Sequence, residues 1–269
     1  MEKAVSQIDA SYVWELSLAG RGEPTIHPQF PELLRIMARA PVKTDVTTTG
    51  VTFTAKNIEA CVNNVDIIRL SVSSIRKEVF DRVHIGLSHQ KIWQNISALA
   101  EAETKKVIIH LTGGPVIYDS LPETVAHLRR LGFENMHVFP LWNRGGEIAT
   151  VEIDKRRAYL VKTLGLNCSE SEYKSGMGRY KFILNTAWGK LLNQDFCTTG
   201  DGSISISYSG DVLGCFQDFG HTSNIGNIHT DDLKTLVRKR VMQLGKMPVC
   251  KNCNVNQAAL KLPMFWRNS

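Results

Sequence analysis

Along the first half of the chain, short runs rich in β-branched and aromatic residues alternate with longer stretches whose apolar positions recur every three or four residues. VWELSL (13–18) reads as a strand, followed by a glycine-bearing turn and the helix FPELLRIMARA (30–40). TDVTTT (44–49) predicts a second strand, NIEACVNN (57–64) a helix, and DIIRLSVS (66–73) a third strand. HQKIWQNISALAEAE (89–103) predicts a long helix and KVIIHLT (106–112) a fourth strand. LPETVAHLRRLG (121–132) reads as a helix stopped by Gly132, and MHVFPLW (136–142) as a fifth strand. Nearly continuous apolar strands alternating with helices suit a parallel sheet covered by helices, since a helix-length crossover returns the chain to the same end of the sheet.

The pattern changes after Asn143-Arg144-Gly145-Gly146. Residues 147–195 are polar and mixed, with no clear alternation. SISISY (203–208), the turn Ser209-Gly210-Asp211 and VLGCF (212–216) then read as a β-hairpin, and Asp231 to Leu244 as one amphipathic helix. These shifts divide the chain into an α/β domain (1–150), a connecting segment (151–195) and a small hairpin–helix domain (196–269).

Composition narrows the function classes. Apolar residues make up 43% of the 269 positions, enough for a sizeable core, and the net charge is +6. The one basic cluster, Lys234 to Arg240, reads as a solvated helix face. A nucleic-acid partner would call for a denser basic stripe with interleaved aromatics, so none is expected. No apolar run approaches the ~20 residues of a membrane span, and the first residues lack the signature of a secretory leader. The expectation is therefore a cytoplasmic protein with no membrane partner. In that reducing compartment, cysteines serve as ligands or buried apolar groups rather than as disulfides.

Four of the six cysteines carry the strongest chemical signal. Cys197 and Cys215 flank the predicted hairpin, whose turn brings the second thiol back toward the first, and Cys250-Lys251-Asn252-Cys253 offers two more from one tight turn. Four thiolates are enough for one tetrahedral zinc or one cubane iron–sulfur cluster. Cys61 lies in a helical pattern and reads as a small buried apolar group, and Cys168 as structural. Weaker signals gather at the predicted strand ends. Gly20-Arg21-Gly22-Glu23-Pro24 follows the first strand, Thr47-Thr48-Thr49-Gly50 ends the second, and Ser71, Ser73 and Ser74 end the third. Each alone is an ordinary turn or cap, but three polar ends on one rim of a parallel sheet mark a ligand position. His27 reads as a structural hydrogen-bond donor, and Arg144, after the fifth strand, as a catalytic candidate that could equally cap a carboxylate.

Together these residues resemble the radical S-adenosylmethionine superfamily, in particular members with a C-terminal SPASM or shorter twitch domain, from about Val13 to Asn254. The run Gly20 to Pro28 looks like the G-G-E-P motif, Thr47 to Gly50 sits where the family has T-N-G, and Leu70-Ser71-Val72-Ser73 resembles its I-S-(I/L)-D strand end. GDVLGCFQDF (210–219), Ile225-Gly226-Asn227-Ile228 and C-x-x-C resemble the auxiliary-domain pattern, with Gly214 in place of the usual proline. The resemblance implies an incomplete (β/α)6-type partial barrel followed by a domain in which Cys197, Cys215, Cys250 and Cys253 hold one auxiliary [4Fe–4S] cluster. It implies S-adenosylmethionine at Gly20, Gly22, Glu23, Pro24, Thr49, Ser71 and Ser73, and a peptide or small-molecule substrate undergoing oxidation or maturation. The family's C-x-x-x-C-x-x-C loop is not in the sequence. The expectation is then a chain that relies on a missing segment, or on a second chain, for radical generation. A non-catalytic iron–sulfur or four-cysteine zinc module for peptide or protein recognition is the alternative.

Overall fold

The computed structural model describes residues 1–20, 22–139, 155–167, 204–216, 218, 220–243 and 246–250. The chain divides into two compact units, Met1–Leu141 with Asp154–Cys168 and Trp142–Ile153 with Ser169–Ser269.

The first unit opens with a one-turn helix α1 (Glu2–Val5). Five strands then follow in chain order: β1 (Glu15–Leu18), β2 (Lys43–Thr48), β3 (Ile67–Val72), β4 (Val107–Leu111) and β5 (Met136–Val138). They lie side by side in that order, and every neighbouring pair is parallel. The crossovers carry α2 (Phe30–Met37), α3 (Ala55–Asn64), α4 (Lys77–Val83), α5 (His89–Ala102) and α6 (Leu121–Arg130), and α7 (Lys155–Thr163) follows β5. This is the helix-covered parallel sheet that the alternating pattern predicts, and the α/β partial barrel that the resemblance implies. Local chemistry sets the helix ends. Thr54 accepts from the Asn57 amide and Ser88 from the Lys91 amide at the starts of α3 and α5. Past α6, the Phe133 amide donates to the Leu128 carbonyl and the Gly132 amide to that of Arg129, closing the left-handed stop at Gly132.

Strand alternation gives the sheet two unlike faces. Val46, Ile68, Leu70, Ile109, Leu111 and Val138 point to the helix side, where they share a core with Phe30, Leu34 and Met37 of α2 and Ile96 and Leu99 of α5. Each such side chain contributes ~2 kcal/mol by leaving water. The other face carries Glu15, Ser17, Asp45, Thr47, Arg69, Ser71, His110 and His137 in register.

Short elements escaped the sequence pattern. α1 and α4 are too brief to show a period, and so are the 3-10 turns Pro24–Ile26 and Gly114–Ile117. α7 lies in the stretch that reads as mixed and polar. It belongs to the first unit, where Arg157 donates to the Val138 carbonyl and Asn167 bridges to His137.

The second unit holds an antiparallel sheet of β6 (Ser205–Ile206), β7 (Asp211–Leu213) and β8 (Asn224–Asn227), then α8 (Leu233–Gln243) and a 3-10 turn, Pro248–Cys250. β6 and β7 form the predicted hairpin; β8 was read only as a motif. Val212, Leu213, Ile225, Leu236, Met247 and Val249 are buried. The reading of Lys234 to Arg240 as a solvated face is corrected at its last residue. Arg240 is 1% exposed, and its Nε donates to the Gly214 carbonyl at 2.9 Å.

Candidate functional site

At the C-terminal ends of β1 and β2, one carboxylate organises the rim. Glu23 Oε1 accepts from the Thr25 amide (3.1 Å), the Thr25 hydroxyl (2.6 Å) and the Thr48 hydroxyl. Its Oε2 accepts from the Thr49 amide (2.7 Å) and hydroxyl (2.8 Å). The structure thus brings together Glu23 and Thr49, two residues singled out on separate motifs. Pro24 starts the 3-10 turn that carries Thr25, its fixed φ suiting a first helical position. A Cβ at Gly20 or Gly22 would meet no atom within 4 Å, so packing does not demand glycine at either position.

Two buried amides pin the loops beneath this rim. Asn57 of α3 donates to the Thr25 and Thr52 carbonyls, and Asn95 of α5 to those of Gly50 and Val51. Gly50 has φ +72, and a Cβ there would lie 2.9 Å from the Phe53 ring, so glycine is required. Sequence reasoning missed Thr25, Asn57 and Asn95, because hydroxyls and amides in helices and turns look like ordinary caps. Ser73 is buried and its hydroxyl has no hydrogen-bond partner, while Ser71 stands half-buried on the inward face. Thr49 and Ser71 line a narrow recess with Phe80, His84 and Trp93. His27 accepts from the Gln29 amide through Nδ1, so its structural role is that of acceptor rather than donor.

Lower on the inward face lies a charged network. Arg69 reaches Glu15 Oε1 (2.7 Å) with Nη2 and Asp45 Oδ1 (3.0 Å) with Nε, and Ser17 donates to the same Asp45 oxygen. Burial raises the Asp45 carboxyl to about 7; Arg69 opposes the rise, and Glu15, close enough to share a proton, supports it. His110 lies opposite Ser71 in the register, with its Nε2 buried and without a partner. Burial, helped by Arg69 and His137, lowers its pKa to about 3 and keeps it neutral. The alternation of polar residues in β1 to β3 was the available signal for this row.

In the second unit, Cys215 follows β7 and Cys250 closes the 3-10 turn, both half-buried. Met247 joins the two places: a Cβ on Gly214 would fall 2.4 Å from its sulfur. The Gly214 amide donates to the Ser223 carbonyl, and Asp218, whose amide donates to the Cys215 carbonyl, caps the Thr222 and Ser223 amides. A proline at 214 would lose that amide bond and strike Met247, which accounts for glycine there. Cys197, Cys253, Cys168 and Arg144 lie outside the described residues. Cys61 is fully buried in the first unit, and burial pushes its thiol up to about 12, as a small apolar group would have it.

Residues 197–254 match the family model of SPASM, an iron-sulfur cluster-binding domain. The match starts on Cys197 and ends one residue past Cys253, so it takes in all four cysteines of the SPASM domain. Among solved structures, SuiB of Streptococcus suis bound to precursor peptide SuiA is similar in fold. Its TM-score is 0.67 at 15% identity, over 100% of this chain and 67% of that one. Native anSMEcpe with bound AdoMet and Kp18Cys peptide gives 0.57 at 15% identity, over 97% of this chain and 73% of that one. SuiB bound to S-adenosylmethionine gives 0.66 at 15%, over 97% and 66%. No curated protein matches the chain in sequence. The chain therefore has the radical S-adenosylmethionine enzyme fold and ends in a SPASM domain, as the resemblance implies. Among the described residues, no helix is long and apolar enough to cross a membrane.

Proposed function

We propose that this chain is the substrate-modifying body of a radical S-adenosylmethionine enzyme acting on a peptide, with one auxiliary [4Fe–4S] cluster in its SPASM domain. The observation that carries the reading is the Glu23 rim. The Glu23 carboxyl group is fixed at the strand ends by five donors from Thr25, Thr48 and Thr49, where an open α/β sheet binds its ligand. Three of those donors are hydroxyls, which rotate and so can yield a carboxylate lone pair to an incoming ammonium group. The donor set also fits: four soft thiolates inside one SPASM match suit iron–sulfur ligation. The peptide-bound structures of similar fold support a peptide over a small molecule as substrate.

On this reading Glu23 receives the amino group of S-adenosylmethionine, while Gly20 and Gly22 leave the backbone open to it. Thr49, Ser71 and the unpartnered Ser73 hydroxyl face its polar edge. Pro24 holds the turn, and Arg144 is a candidate contact to the substrate. S-adenosylmethionine held there would supply radical chemistry toward the substrate once reduced by a cluster that the four cysteines of the SPASM match do not account for. The thiolates of Cys197, Cys215, Cys250 and Cys253 account for the auxiliary cluster only, and this chain is assigned binding, orientation and exclusion of water.

Anaerobic reconstitution tests the proposal. About four irons and four sulfides per chain are expected, with saturable S-adenosylmethionine binding that weakens about tenfold or more in Glu23→Gln while iron content holds. Zinc in place of iron, or equal affinity in parent and variant, would count against it.

A further inference from the structure

The sheet of the second unit runs β6-β7-β8, so β6 and β8 are its edges. An edge strand presents unpaired amides and carbonyls, and proteins blunt it with charge, proline or a covering group. β8 is blunted. The Gly226 and Asn227 amides donate to the Asn224 and Asp231 side chains, and the Lys239 ammonium lies 3.5 Å from the Ile225 carbonyl. β6 is not. Residues 204–208 read Ile-Ser-Ile-Ser-Tyr, without charge or proline, and among the described residues no strand pairs with its outer side.

The hairpin register says which groups that side offers. Ser205 stands opposite Leu213 and Ile206 opposite Val212, and the Ser207 amide donates to the Asp211 carbonyl at 2.8 Å. Bonded and non-bonded positions alternate along an antiparallel pair, so Ser205 and Ser207 direct their backbone groups to β7. Those of Ile204 and Ile206 point away from it, to the open side. Ile206 is 38% exposed and Tyr208 wholly exposed, so this edge is reachable from solvent.

A strand that fits must offer outward groups at the same two-residue spacing and bring no charge. The chain itself does. Ile204-Ser205-Ile206 reads alike in both directions, and a two-fold interface requires residue i to meet residue j while j meets i. About an axis beside Ser205, Ile204 of one copy stands opposite Ile206 of the other, and the reverse. All four positions face outward, so each pair exchanges two backbone hydrogen bonds, about four in all. We propose that β6 is a self-association edge, at which two copies of this chain pair antiparallel through Ile204–Ile206 and join their small sheets into one. So short a seam is smaller than a standard interface, and the dimer it makes is weak and concentration-dependent. The inference stands apart from S-adenosylmethionine binding and from the identity of the metal.

Sedimentation velocity of the anaerobically reconstituted full chain, from about 1 µM to about 500 µM, should show monomer and dimer in exchange. Ile206→Lys puts a charge on the edge and should weaken association about tenfold or more. A parent that stays monomeric throughout, or a dimer that a folded Ile206→Lys leaves intact, overturns the proposal. Cross-linking reads the register. Across the axis the two Ser205 Cα atoms stand ~4.5 Å apart, within disulfide reach, whereas the two Tyr208 positions lie ~20 Å apart. Mild oxidation of Ser205→Cys should join two chains at that position, identified by mass spectrometry, in about tenfold higher yield than Tyr208→Cys. Tyr208 is the more exposed, so an equal or greater yield there is random collision and overturns the proposal. Should circular dichroism show Ile206→Lys unfolded, the two cross-linking yields decide.

Discussion

Two buried ionisable residues on the inward face of the sheet pull the pH dependence of stability in opposite directions. Asp45 binds its proton more tightly folded (about 7) than unfolded (3.8), so its contribution is present at acid pH and lost as pH rises through about 7. His110 does the reverse. Its folded value of about 3 lies below the unfolded 6.5, so stability is lost as pH falls between them. Each slope can reach about 1.4 kcal/mol per pH unit between roughly pH 4 and 6.5, and in the parent they largely cancel. Glu15 and Ser17 on β1, Arg69 on β3 and His137 on β5 are the groups that face this pair. Asp45→Asn should leave stability rising with pH across that window, and His110→Gln should leave it falling. Urea titrations at several pH values measure both, and parallel profiles in all three proteins would exclude proton uptake by this row.

At the scale of elements, the loops after the strands matter more than the strands. The Thr-Thr-Thr-Gly segment ends β2, turns at Gly50, and is fastened from below by Asn57 and Asn95. Gly50→Ala places a methyl group against Phe53 and Leu70 in a backbone region that L-residues avoid. A loss of about 1–3 kcal/mol is expected. Because the same loop presents the Thr49 amide and hydroxyl to Glu23, S-adenosylmethionine binding should weaken in parallel. Chemical denaturation and equilibrium dialysis on one preparation check the pair, and a stability loss with unchanged binding would separate loop from rim. In the SPASM domain, Gly214 has a similar standing. Its amide and its missing Cβ are both used, by Ser223 and Met247.

For the molecule as a whole, the two units draw on different sources of stability. The first has an extensive apolar core from α2 to β5, whereas the described sheet of the second consists of strands two to four residues long. Small domains of that kind gain from a metal cross-link, because ligand binding to the folded state adds to its stability. Stripping iron with a chelator under reducing conditions should lower and broaden the melting of the SPASM domain and leave that of the first unit within ~2 °C. Scanning calorimetry resolves the two, and equal shifts in both would contradict separate stabilisation.

Periodicity determined much of this protein. Five strands, five of the helices, the hairpin and the stop at Gly132 follow from side-chain spacing and local backbone preference, which act over a few residues and are written in order along the chain. The motif residues Glu23 and Thr49 were legible for the same reason, since chemistry restricts them to few residue types, and the four cysteines fall inside the SPASM match. Tertiary structure alone decided who meets whom. Thr48 became a ligand of Glu23, Asp45 and Arg69 became partners across adjacent strands, and Arg240 left the solvated face for the Gly214 carbonyl. Those contacts join positions far apart in the chain. Their energies come from burial and register, which no local window of sequence contains.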